Sequence, residues 1–87
     1  MDTTDSFYLG YVSKPFGFKG EIFAYFDVDE PDRYQHTESV FLLMEGKLIP
    51  FFIEHIRFKP HSREAVVRLQ NIDTEEKARH LCGSEMY

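Results

Sequence analysis

Four histidines, one cysteine and fifteen carboxylates are the groups in this chain that could do covalent, acid–base or metal chemistry. His36, His55, His61 and His80 are dispersed. No two of them stand at i, i+4, the spacing that sets two imidazoles on one helix face, and no Cys-x-x-Cys accompanies them. Cys82 stands beside Leu81 on what reads as the apolar face of a helix, which marks it as a small buried hydrophobe. A nucleophile needs an exposed thiol with a base in reach, and His80, two residues away on a helix, points elsewhere. Most carboxylates fall in turns or at a helix start, where solvation and capping account for them. Glu21 is the exception, beside glycines on a strand. A structural hydrogen bond or ion pair to the adjoining turn is read for it in preference to catalysis. Gly17 and Gly20 have neither the spacing nor the following helix of a phosphate-binding loop. No catalytic, cofactor-binding or metal-ligating residue is assigned, and a non-enzymatic protein is expected.

The cations suggest binding instead. Arg57-Phe58-Lys59-Pro60-His61-Ser62-Arg63 holds three cations and no acid, and reads as a long hairpin tip. A solvated loop is the plainer account. The functional account is contact with phosphates through Arg57, Lys59 and Arg63, to which Lys14 and Lys19 could add. Asp27, Asp29, Glu30 and Asp32 form an acidic run, read as a turn, or else as a complement to a basic protein partner. Lys14 and Lys19 flank a bend, Lys14-Pro15-Phe16-Gly17-Phe18-Lys19-Gly20, in which aromatics and lysines alternate. Phe18 is expected to cap a core there, whereas Phe16 with Lys14 and Lys19 could meet a partner.

The elements that must position these residues are mostly strands. The chain has 87 residues, the size of one domain. Its apolar fraction of 43% suffices for a core. Nine Phe and five Tyr predict that large flat rings fill much of it. One cysteine excludes an internal disulfide framework and a cysteine-based zinc cage. No apolar run approaches the roughly 20 residues of a membrane span. The polar, acidic start Met1-Asp2-Thr3-Thr4-Asp5 lacks the basic region of a signal peptide, so a cytoplasmic protein is expected. A net charge of −5 argues against a wholly basic nucleic-acid coat while allowing a local basic patch.

Alternation over residues 7–14 predicts a strand with Phe7, Leu9 and Tyr11 on one face. Residues 19–26 predict a second, with Ile22, Ala24 and Phe26 opposite Phe23 and Tyr25. Residues 40–44 and 48–53 predict a hairpin about Glu45-Gly46-Lys47. Pro50 places its strand at an edge or bulge. Residues 64–69 give a fifth strand, and Glu85-Met86-Tyr87 a short sixth. Residues 29–36 hold at most a turn or two of helix. Residues 74–82 form the better helix, with Asp73 as N-cap, Glu76 completing a capping box, a Glu75–Arg79 pair, and Gly83 as the stop. The resulting fold class is all-β: a small closed antiparallel barrel with one short C-terminal helix.

Two segments resemble the N-terminal domain of the RimM family of ribosome maturation factors. The first is residues 9–21, where Gly10, Gly17, Lys19, Gly20 and Glu21 match that family's glycine-punctuated pattern, and Phe18 and Ile22 fill its apolar positions. The second is residues 69–83, similar to its Leu-x-Gly-Ile-Asp-x-x-Glu-x-Ala-x-x-Leu-x-Gly segment, including Asp73 and Gly83. Phe16 replaces the family's histidine, which puts in doubt any role that needs an imidazole. Asn71 replaces a glycine, a change the left-handed region tolerates.

The resemblance implies a six-stranded barrel of the translation-protein type and a non-catalytic assembly chaperone for the small-subunit head. The implied partners are the small ribosomal subunit, its head protein numbered nineteen, and 16S rRNA. The domain alone is expected to be a monomer, off the membrane and without a cofactor. A second barrel of the PRC type is expected in the full-length protein, this chain being its N-terminal domain. Two rivals stand beside this reading. One is a single-stranded RNA module stacking bases on aromatics among Tyr8, Tyr11, Phe23, Tyr25 and Phe58. The other is a fragment of a flavin- or nucleotide-binding enzyme.

Overall fold

The computed structural model describes residues 7–87; the acidic start at residues 1–5 lies outside the described residues. Six strands, β1 (Gly10–Phe16), β2 (Glu21–Phe26), β3 (Ser39–Met44), β4 (Lys47–Phe58), β5 (Glu64–Leu69) and β6 (Glu85–Met86), close into an antiparallel barrel. The strand order is β1-β2-β5-β4-β3-β6, and β6 completes the ring by pairing with both β1 and β3. A 3₁₀ turn (Pro31–Tyr34) follows β2, and one helix, α1 (Glu75–Leu81), precedes β6. Closure satisfies the backbone of strands too apolar to leave an edge in water.

Local chemistry explains most of these elements. Glu45 and Gly46 both have positive φ, the signature of the two-residue type I′ turn whose twist suits a hairpin, so Met44 faces Lys47. Pro50 faces Phe41, whose N–H and C=O both bond to Tyr87 on the other side of β3. At that position β4 therefore turns its backbone away from β3, toward a side where no strand pairs with it. The missing N–H costs no ladder bond there, as expected of an edge. A register shift between Ile53 and His55 lets β4 pair with β3 through its first half and with β5 through its second.

The lumen is lined by Val12, Ile22, Ala24, Phe26, Val40, Leu42, Ile56, Ala65, Val67, Leu69 and Met86. Phe26 is the one aromatic among the core residues buried in this way, which corrects the expectation that rings fill the interior. A six-stranded barrel is narrow, and Val, Ala, Ile and Leu fit it where a stack of rings would overfill it. Most of the aromatics stand on the outer walls instead. In β1 the buried residues are Gly10 and Val12, and Tyr11 is exposed although Leu9 is buried. The predicted face shared by Leu9 and Tyr11 is thus wrong. The chain before Gly10 leaves strict alternation, and a register shift between Val12 and Lys14 resets it again.

Both ends of the barrel are sealed. At one end Phe26 packs on Phe58 and on Tyr34 of the 3₁₀ turn, with ring centroids 5.0 and 5.9 Å apart. At the other, α1 inserts Ala78 and Leu81 into the core and lies against β1 and β2. Its N-cap is Thr74, whose hydroxyl accepts from the Lys77 N–H at 3.2 Å. Asp73, the expected cap, stands one residue too early and instead accepts from Lys77 Nζ at 2.9 Å. Two oxygen-bearing residues in succession both satisfy the composition of a cap, and only the backbone chooses between them. The Glu75–Arg79 pair forms at 3.3 Å, and Gly83 ends the helix at φ 87°.

Candidate functional site

The hairpin tip is shorter than its charges suggest. β4 runs through Arg57 to Phe58, Lys59 N–H bonds to the Glu64 carbonyl, and the turn itself is Lys59–Pro60–His61–Ser62. Strand pairing therefore places Arg57 on a sheet face and not in a loop. That face is the outer surface of β1, β2, β5 and the second half of β4. In one row across it stand Lys14, Phe23, Val66 and Arg57; Phe16, Glu21, Arg68 and His55 occupy the next.

Phe23 is the hub of this wall. Phe16 meets it edge-on at 5.0 Å between centroids. The Lys14 ammonium lies 5.4 Å and the Lys59 ammonium 4.6 Å from its ring centroid. Two cations on one ring draw on the negative face of the aromatic, with about 0.5–1 kcal/mol each at exposed sites. Val66 is only 4% exposed although it points away from the lumen, because this outer cluster covers it. Lys59 also pairs with Glu64 at 2.6 Å, and Arg68 with Glu54 at 3.4 Å, both at the surface. Among the described residues, Lys14 and Arg57 have no carboxylate within salt-bridge distance. They are the cations of this wall left available to a partner.

The other expected contact residues are arranged differently. Lys19 lies in the exposed β1–β2 turn, its carbonyl accepting from Arg68 at 3.4 Å. Arg63 leaves the wall altogether. Its Nε donates to the Val28 carbonyl at 2.9 Å, and its side chain lines an open groove with Asp29, Asp32, Lys59 and His61. The acidic run and the end of the basic run are thus neighbours. Phe18 is 75% exposed and caps nothing, which corrects its assignment to the core. The bend swings it outward beyond the strand ends, beside the open space around Gly17. Glu21 makes neither the expected hydrogen bond nor an ion pair among the described residues. Its strand position points it outward next to Phe16, away from the glycines of the turn.

Two matched glycines meet backbone. A Cβ at Gly20 would collide with the Ile72 carbonyl, so the two family-like segments touch each other at that point. A Cβ at Gly10 would collide with the Tyr25 carbonyl. Asn71 adopts φ 70°, the left-handed conformation anticipated for it in place of glycine.

Burial raises the Cys82 thiol above its ordinary pKa, and its sulfur donates to the Ala78 carbonyl at 3.4 Å, an inert setting for a thiol. No three His, Cys, Asp or Glu side chains gather into a metal-binding group among the described residues. No helix there is long and apolar enough to cross a membrane.

The opposite wall was not anticipated. Tyr87, Phe41 and Pro50 form one outward row over β6, β3 and the first half of β4, with Leu43 and Leu48 in the next and Phe52 beyond. Phe52 is 61% exposed. The signal was present in residues 40–53, where nearly every residue is apolar at both parities; a strand buried on both faces and one with an apolar outer face look the same there.

The sequence model of the RimM N-terminal domain matches residues 7–87. The chain belongs to the RimM family. It is 42% identical over its whole length to the ribosome maturation factor RimM of Flavobacterium psychrophilum and 41% identical to that of Flavobacterium johnsoniae, covering 49% of each. The RimM of Marinobacter nauticus is 35% identical over 90% of the chain. The chain thus spans about half the length of the curated relatives it matches. Its fold superposes on the crystal structure of the 16S ribosomal RNA processing protein RimM of Pseudomonas aeruginosa with a TM-score of 0.79 at 22% identity, over 92% of this chain and 48% of that one. The closed six-stranded barrel with one short helix is therefore a RimM fold.

Proposed function

We propose that this RimM domain is the N-terminal docking domain of a ribosome maturation factor, followed by a second, PRC-type barrel. It supports 16S rRNA processing by binding the maturing small-subunit head, including the protein numbered nineteen. It does so without catalysis. Such a domain favours one arrangement of the head only by binding it more tightly than the alternatives. The observation that carries this reading is the charged aromatic wall: Lys14, Phe16 and Lys59 gather on Phe23, and Arg57 stands in the same row beyond Val66. Lys14 and Arg57 suit contact with rRNA phosphates, whereas Lys59, held by Glu64 and the ring, mainly positions the surface.

Tyr11 and Phe16, 40% and 37% exposed on the same wall, favour a second reading in which they stack single-stranded RNA bases. Tyr25 already stacks on Tyr11 at 5.3 Å, Phe58 is turned into the core and Phe23 is half covered. The stacking platform is therefore small.

Binding to immature small-subunit particles, measured over about 50–200 mM salt, tests the reading. Lys14→Ala and Arg57→Ala are each expected to weaken binding and to flatten the log–log salt slope by roughly 0.7–0.9 for each phosphate no longer neutralised. Lys59→Ala is expected to do less. Binding indifferent to salt and to the Lys14 and Arg57 pair would refute a phosphate-contacting wall. A slope left intact while Tyr11→Ser abolishes binding would favour base stacking.

A further inference from the structure

The second wall sets a run of apolar side chains on the outside of a small barrel, with Phe52, Pro50 and Tyr8 exposed and Phe41, Leu43, Leu48 and Tyr87 half-buried. Tyr87, Phe41, Pro50, Leu43, Leu48 and Phe52 are contiguous there, and Tyr8 extends them by packing edge-on against Tyr87 at 5.7 Å. Glu85 is the carboxylate in their midst, and it accepts from the Tyr87 hydroxyl at 2.8 Å. Single exposed rings are ordinary on a protein surface, but contiguous ones mark an interaction site.

We propose that this wall is the seat of the C-terminal half that a RimM protein carries after this domain. The inference rests on reading the chain as an N-terminal domain, and three observations choose this occupant. The chain spans 49% of its relatives' length, so a comparable length of polypeptide accompanies the domain in them. Tyr87 sits in the middle of the wall, its N–H and C=O both bonded to Phe41, so a polypeptide running on from it departs from the wall itself. Tethered there, a following domain meets the wall at millimolar effective concentration without needing high affinity. The wall's chemistry also fits a protein core better than a ribosomal surface. It lacks the free cations that rRNA phosphates would select, and those stand on the other side of the barrel.

Side-chain footprinting with hydroxyl radicals tests this. The 87-residue chain is compared with the same chain joined through Tyr87 to the second half of the Flavobacterium psychrophilum relative. Phe52 and Tyr8 are expected to lose reactivity several-fold in the joined protein, while Phe18, exposed and off the wall, keeps its own. Phe52→Lys in the joined protein is expected to restore the reactivity of Tyr8. The same substitution in the 87-residue chain, read by its melting temperature, shows that the barrel itself tolerates it. Unchanged reactivity of Phe52 on joining would overturn the proposal. So would protection that appears only when small-subunit particles are added, or protection of the 87-residue chain that grows with its own concentration. None of these readouts involves Lys14 or Arg57, so failure here is separable from failure of the rRNA-contacting wall.

Discussion

Phe23 on β2 and Phe52 on β4 both point outward from the same barrel, and their surroundings differ. Phe23 is enclosed by Phe16, Lys14 and Lys59, and it helps to cover Val66 beneath the surface. Phe52 faces Ser39 across the ladder and is 61% exposed. On the charged wall Val66 and much of Phe23 are covered by their own neighbours, Phe16 and Tyr11 stay partly exposed, and two cations are left over. On the apolar wall Phe52 has no such cover, while Phe41, Leu43, Leu48 and Tyr87 are half-buried. An outward phenylalanine can serve either as internal scaffolding for a polar surface or as surface awaiting a cover, and its neighbours across the strands decide which.

Both walls are the backs of strands whose fronts share one lining. Leu42→Ala, on that lining, is expected to lower the unfolding free energy by about 2–5 kcal/mol in urea denaturation, undermining both walls together. Phe23→Ala is expected to cost roughly 2 kcal/mol, less than a fully buried phenylalanine but well above a surface change. Phe52→Ala in the 87-residue chain is expected to stay within about 0.5 kcal/mol. Equal losses at the two positions would erase the distinction between the walls.

A smaller effect concerns the helix that closes the barrel beneath β1 and β2. Thr74→Ala is expected to cost about 1 kcal/mol, as removal of an N-cap usually does, whereas Asp73→Ala should cost less. The hydrogen bond and charge of Lys77 hold the Asp73 carboxyl below its ordinary pKa. A lowered folded pKa means that the contribution is present above the ordinary carboxylate value and fades as pH falls through the folded one. Asp73→Asn should remove that faint acid-side dependence from the stability profile. A larger loss at Asp73 than at Thr74 would return the cap to Asp73.

Much of this was legible in the residues. Ile22, Ala24 and Phe26 alternate cleanly because one side of β2 faces the lumen, and Gly46 and Pro50 punctuate the chain for reasons of their own backbone chemistry. The site was legible as a set of residue types and not as a place. Arg57 and Arg63 lie in one uninterrupted basic run, yet the β4–β5 ladder carries Arg57 onto the wall and the turn sends Arg63 to the acidic loop. Phe16 and Phe18 alternate with lysines in the same bend, and only Phe16 remains in register with a partner strand. The N-cap was misplaced by one residue because Asp and Thr offer the same oxygen chemistry.

The sequence by itself determined the strands, the single helix, the turns and the family, since these depend on local periodicity, φ preferences and matched glycines. Tertiary structure decided which outward residues became neighbours. Closing six strands into a ring sets residues far apart in the chain one strand spacing from each other. That placement put Lys14 and Lys59 on one ring, Gly20 against Ile72, and Tyr87 beside Phe41, and no local pattern encodes such distances.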